Sequence, residues 1–149
     1  MRFILTLAIA CLLFSCTSED KKEKYDFTTV FETSQGMETP TYEQLIEFYE
    51  NLATTYPSIA MYTMGQTDSG HRLQLVVFNA SNKNNSTATL FPGKGDKNLL
   101  LINNGIHPGE SDGVDASMLL LRGLAEGKIK PPKNTIVAVI PVYNIGGAL

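Results

Sequence analysis

Residues 99–110 read Leu-Leu-Leu-Ile-Asn-Asn-Gly-Ile-His-Pro-Gly-Glu. The four apolar residues at the start predict a buried strand, and Asn103-Asn104-Gly105 the turn that ends it. His107 and Glu110 follow at once, and a helical pattern begins after them. Two side chains able to hold a metal therefore stand where a strand hands over to a helix, a place where α/β proteins build their sites.

Working outward, the helical pattern runs over about 111–125. Val114, Met118, Leu119, Leu121, Leu124 and Ala125 form its apolar face, and Gly127 is a natural stop. Pro131-Pro132 marks a turn, and residues 135–142 are β-branched and strand-like. Strand, helix and strand, both strands apolar, imply a crossover connection with parallel pairing. The class is therefore α/β, a mixed or parallel sheet flanked by helices.

Upstream, Thr41-Tyr42-Glu43-Gln44 is a capping-box pattern, and Leu45, Ile46, Phe48, Tyr49 and Leu52 recur at helical spacing. Pro57 bounds that helix, expected over 42–54. Residues 59–64 and 72–78 are strand-like and joined by a loop with Gly65 and Gly70, a hairpin wider than a two-residue turn. Residues 79–98 are rich in Asn, Ser and Gly and predict a long surface loop, with room for a short strand at 87–91. The sequon Asn85-Ser86-Thr87 within it is coincidental in a chain with the N-terminus described next.

Arg2 and the apolar stretch 3–14 have the form of a secretory signal, too short to span a bilayer as a helix. Leu13-Phe14-Ser15-Cys16 resembles a bacterial lipobox, with Phe14 where such boxes carry a smaller residue. That resemblance makes Cys16 the lipidated first residue of an exported lipoprotein held at the membrane of the cell envelope; the plainer alternative is an ordinary signal peptide. The expected organisation is a signal over 1–15, a polar tether over 16–38 and a folded part over 39–149. Cys11 falls inside the signal, so neither of the two cysteines is left for a disulfide.

The chain has 149 residues, 43% hydrophobic and 18% charged, enough for one domain with a core and unlike a disordered segment. A net charge of −3 without a Lys/Arg stripe argues against a nucleic-acid partner.

Catalytic zinc takes three protein ligands and leaves one position open. An imidazole and a carboxylate three residues apart can reach one ion if the backbone turns between them, and Pro108-Gly109 supplies such a turn. The plain alternative is a surface histidine and a glutamate that favours a helix N-terminus. Asp112 and Asp115 have the same macrodipole explanation, or else one of them orients His107. Asn144 either lines the site or caps the turn after its strand. Arg122 and Lys128 read as surface charges complementing the helix C-terminus. His71, in the hairpin loop, reads as a solvated side chain.

Asn103-Asn104-Gly105-Ile106-His107-Pro108-Gly109-Glu110 resembles the zinc-ligand segment of the M14 family of metallocarboxypeptidases. Gly65-Gln66-Thr67-Asp68-Ser69-Gly70-His71-Arg72-Leu73 is similar to that family's preceding hairpin, and Pro141-Val142-Tyr143-Asn144 to the strand after its zinc helix. The resemblance covers roughly residues 40–149. It implies that His107 and Glu110 are the first two zinc ligands of an enzyme that hydrolyses a C-terminal peptide bond with metal-activated water. It also implies that the third ligand, an Asn-Arg pair for the substrate carboxylate, a clamping Tyr and a Glu base lie beyond Leu149. No residue of this chain receives those roles, and 39–149 reads as the N-terminal part of a catalytic domain. Gly109 stands where digestive members place an arginine, and Ile145-Gly146 replace the Pro-Asp of the family's turn. Two alternatives accompany this reading: an M14-like amidase or deacylase acting on cell-wall peptides or N-acyl amino acids, and a non-catalytic envelope binding lipoprotein.

Overall fold

Thr41 and Gln44 close the predicted capping box: the Thr41 hydroxyl accepts from the Gln44 N–H, and the Gln44 side chain accepts from the Thr41 N–H. From that cap runs helix α2, Tyr42–Thr55, with Leu45, Phe48, Tyr49 and Leu52 buried. The computed structural model describes residues 25–81, 97–107 and 109–149. The other elements are α1 Val30–Thr33, β1 Ile59–Gln66, β2 Arg72–Phe78, β3 Asn98–Asn103, α3 Asp112–Ala125, β4 Thr135–Ile140 and α4 Ile145–Ala148. The signal, Cys16, the expected strand at 87–91 and Pro108 lie outside the described residues.

The four strands form one mixed sheet in the order β1-β2-β4-β3. β1 and β2 are the predicted hairpin, antiparallel with a register shift between Thr63 and Gly65. β2 pairs antiparallel with β4, and β3 pairs parallel with β4 through the α3 crossover. Side chains alternate across a strand. Val76, Phe78, Val137 and Val139 accordingly join α2 and α3 in the main core. Leu75, Val77, Ile136 and Ala138 form a smaller cluster on the opposite face.

One expectation fails here. The run 99–102 is not a buried strand: Leu99, Leu100 and Leu101 are 53%, 48% and 54% exposed. A continuous apolar run predicts burial when a strand has neighbours on both sides. β3 is instead outermost, and β4 takes the central place, with Ile136–Val139 all buried.

The expected polar tether also ends earlier than residue 38. Phe27 is buried and meets Phe48 edge-on at 5.7 Å. The Glu32 carboxylate accepts from the Thr29 N–H at 2.8 Å, and the Thr29 hydroxyl accepts from the Glu32 N–H at 3.2 Å, a second capping box. One buried aromatic among polar neighbours gives no period, which is why composition hid this segment. Arg122 fastens it. Its guanidinium donates to both Glu32 carboxylate oxygens, at 2.6 and 2.7 Å, and to the Phe27 carbonyl at 2.6 Å. Arg122 is thus an anchor rather than a surface charge for the helix end; Lys128 pairs locally with Glu126 at 2.7 Å.

Candidate metal centre

Beyond β3 the backbone stays clamped to the end of β4. The Asn104 N–H donates to the Ile140 carbonyl at 3.1 Å, and the Asn104 carbonyl accepts from the Tyr143 N–H at 2.8 Å. The Gly105 carbonyl accepts from the Asn144 N–H at 3.0 Å. Gly105 has φ +58° and passes so close to Val142 that a β-carbon would stand 3.0 Å from its Cγ1. Gly109, φ +87°, lies in the left-handed region that favours glycine. The Glu110 N–H donates back to the His107 carbonyl at 3.3 Å.

This turn brings His107 Nδ1 to 3.0 Å from Glu110 Oε1, with both side chains about two-thirds exposed. They stand at the rim of a cleft of about 190 Å³ walled by Pro40, Tyr42, Leu45, Val114, Val142 and Ala148. Two ligands of one tetrahedral zinc, each about 2.0–2.2 Å from it, lie roughly 3–3.5 Å apart. The pair therefore fits two of the ion's ligands in donor type and in separation. Among the described residues no group of three His, Cys, Asp or Glu comes together.

The remaining predicted residues are placed elsewhere. His71 is half-buried, with Nδ1 3.2 Å from the Ser69 carbonyl oxygen and its ring edge-on to Tyr42 at 5.5 Å. Asp112 is exposed in the first turn of α3. Asp115 is buried and lies toward Tyr49 and Thr39. Among the described residues no hydrogen bond joins either aspartate to His107, whose partner is Glu110 itself. Asn144 caps α4, its Oδ1 accepting from the Gly147 N–H at 3.2 Å, while its backbone holds the His107 loop. Sequence reasoning missed a buried pair behind the site, Asn104 Nδ2 donating to Ser117 Oγ at 2.8 Å. The available signal was Ser117 itself, a hydroxyl on the apolar stripe between Val114 and Leu121.

Asp115 carries a prediction of its own. Burial, and secondarily the charge of Asp112, push its carboxyl above the ordinary 3.8, against a hydrogen bond from Thr39. A carboxyl whose pKa is raised by folding holds its proton more tightly in the folded chain, so ionisation above the unfolded value costs stability. Asp115→Asn is therefore expected to raise stability at pH 7 by about 1 kcal/mol. The gain should vanish below the ordinary carboxylate value, where both states are protonated. Thermal unfolding at neutral and acid pH checks this, and a destabilised variant at pH 7 contradicts it.

The model of the zinc carboxypeptidase family matches residues 45–148. Among solved structures, carboxypeptidase A from Helicoverpa armigera is similar at TM-score 0.61 and 16% identity, over 73% of this chain and 25% of that one. Bovine thrombin-activatable fibrinolysis inhibitor, solved in complex with tick carboxypeptidase inhibitor, is similar at 0.57 and 17%, over 73% and 32%. A further structure of thrombin-activatable fibrinolysis inhibitor gives 0.59 and 16%, over 83% and 29%. At such identities these likenesses establish the fold, and the chain spans between a quarter and a third of their length. No curated protein matches the sequence. The strand, turn and helix that carry His107 and Glu110 all fall within a family match covering more than half of the sequence, and the chain belongs to the zinc carboxypeptidase family.

Proposed function

We propose that His107 and Glu110 are two of the three protein ligands of a zinc metallocarboxypeptidase site, the third lying outside the described residues. The observation that carries the reading is the 3.0 Å approach of His107 Nδ1 to Glu110 Oε1 on a family-matched strand–turn–helix. The chemistry zinc supplies in such a site is polarisation of the scissile carbonyl and activation of water. This chain's part is to hold the pair: β3 and its clamp to β4 fix the imidazole, and the start of α3 fixes the carboxylate. The substrate is a peptide with a free C-terminus. The lipobox-like Leu13-Phe14-Ser15-Cys16 supports export and a lipid anchor at Cys16, with 17–24 as spacer. No described helix is long and apolar enough to cross a membrane.

Two ligands hold a metal weakly, and among the described residues no third His, Cys, Asp or Glu joins them. The 149-residue chain is therefore expected to bind zinc weakly and to hydrolyse nothing. Titration of the nitrogen-15-labelled chain with zinc, followed by NMR, should move the His107 ring and Glu110 signals, and His107→Ala or Glu110→Ala should remove the response. An unchanged response in both variants overturns the ligand assignment. Cleavage of a free but not a C-terminally blocked peptide by this chain overturns the incompleteness of its site.

A further inference from the structure

His107 and Glu110 are each about two-thirds exposed, so packing at their tips does not set the distance between them. That distance depends on how the end of β3 sits against the start of α3. One buried residue spans this joint. Asn104 is only 5% exposed, and its Nδ2 donates to Ser117 Oγ in the second turn of α3. Its Oδ1 lies against Gly113 in the first turn, where a β-carbon would stand 2.8 Å away. Its backbone N–H is taken by Ile140 at the end of β4 and its carbonyl by Tyr143 in the segment that follows β4. His107 comes three residues after Asn104, and Glu110 three residues before Gly113. The amide is thus tied to the strand that leads to one ligand and to the helix that follows the other.

We propose that Asn104 is a positioning residue for metal capture: held by Ser117 and by the bare face of Gly113, it fixes the separation of the two ligand side chains. The proposal rests on His107 and Glu110 being zinc ligands. Ligating groups must be held to within about half an ångström, and losing a partner that orients a ligand weakens binding roughly 10–100-fold. Asn104 touches neither the ion nor substrate in this account and acts through the loop and helix it joins. A buried amide that served stability alone would lower the unfolding temperature without changing zinc affinity in the chain that stays folded.

The experiment is a zinc titration of the 149-residue chain, Asn104→Ala, Ser117→Ala and His107→Ala, read by the NMR shifts of residue 110 and, where present, the His107 ring. Circular dichroism fixes the folded fraction of each variant. The expected result is affinity about 10–100-fold weaker in Asn104→Ala and a smaller loss in Ser117→Ala, which keeps the amide but removes its partner. Affinity within about twofold of wild type in a folded Asn104→Ala overturns the proposal; if that variant does not fold, the same result in Ser117→Ala does so. If wild type and His107→Ala respond identically to zinc, the ligand reading fails first and the proposal falls with it. That outcome is distinguishable because Asn104 plays no part in it.

Discussion

Leu121→Ala is expected to destabilise the chain by about 2–5 kcal/mol, the largest effect of any single substitution considered for this fold. Leu121 is wholly buried on the inward face of α3, in the cluster that joins α2, α3 and the sheet. Truncation removes the transfer free energy of the side chain and leaves a cavity that a helix held at both ends cannot collapse onto. Domains of this size are stable by only about 5–15 kcal/mol, so the loss is a large fraction of the total. At roughly 4 °C per kcal/mol the midpoint should fall on the order of 10–20 °C. Urea unfolding followed by circular dichroism measures it. A loss below about 1 kcal/mol would mean that the inward face of α3 does not bear on the core as placed here.

Arg122→Met should cost about 1–3 kcal/mol at neutral pH while keeping the apolar stem of the side chain. Arg122 donates three hydrogen bonds into the N-terminal segment, two to the Glu32 carboxylate and one to the Phe27 carbonyl. The range is kept modest because the Glu32 side chain is 35% exposed and water screens the pair. The Arg122 guanidinium, foremost, together with the Thr29 hydrogen bonds, holds the Glu32 carboxyl down at about 2 from an ordinary 4.5. A carboxylate lowered by folding stabilises the fold fully above its unfolded pKa and loses that contribution as pH falls through the folded one. The gap between wild type and Arg122→Met should therefore be full above pH 4.5 and shrink toward pH 2. A gap independent of pH across that window would assign the anchoring to the Phe27 carbonyl alone.

What was legible in the sequence was local. The capping box at Thr41 and Gln44, the hairpin between β1 and β2, and the amphipathic face of α3 depend on residues a few positions apart. So does the turn that pairs His107 with Glu110. What was illegible depends on partners far apart along the chain. Sheet order put β4 in the middle and β3 outside, and a run of leucines reads the same in either place. Arg122 and Glu32 lie ninety residues apart. A guanidinium near a helix end looks like a surface charge until the N-terminal segment it anchors, Phe27 to Glu32, is seen beneath it. Asp115 points at α2 instead of His107, because its position on α3 turns it toward Tyr49. Asn104 and Ser117 became a pair only when the crossover laid α3 across the end of β3.

The outward edge of β3 ties chain topology to the candidate site. Any strand added there in the sense of β4 would draw its hydrogen bonds from the backbone of Asn98–Asn103 and run toward the same end of the sheet as Asn103, leaving the three leucines, which alternate between the two faces, for other elements to cover. Its last residues would emerge beside His107, at the carboxyl end where parallel sheets gather their functional loops. Whatever widened the sheet on that side would also border His107, so the open edge of the fold and the candidate site share one boundary.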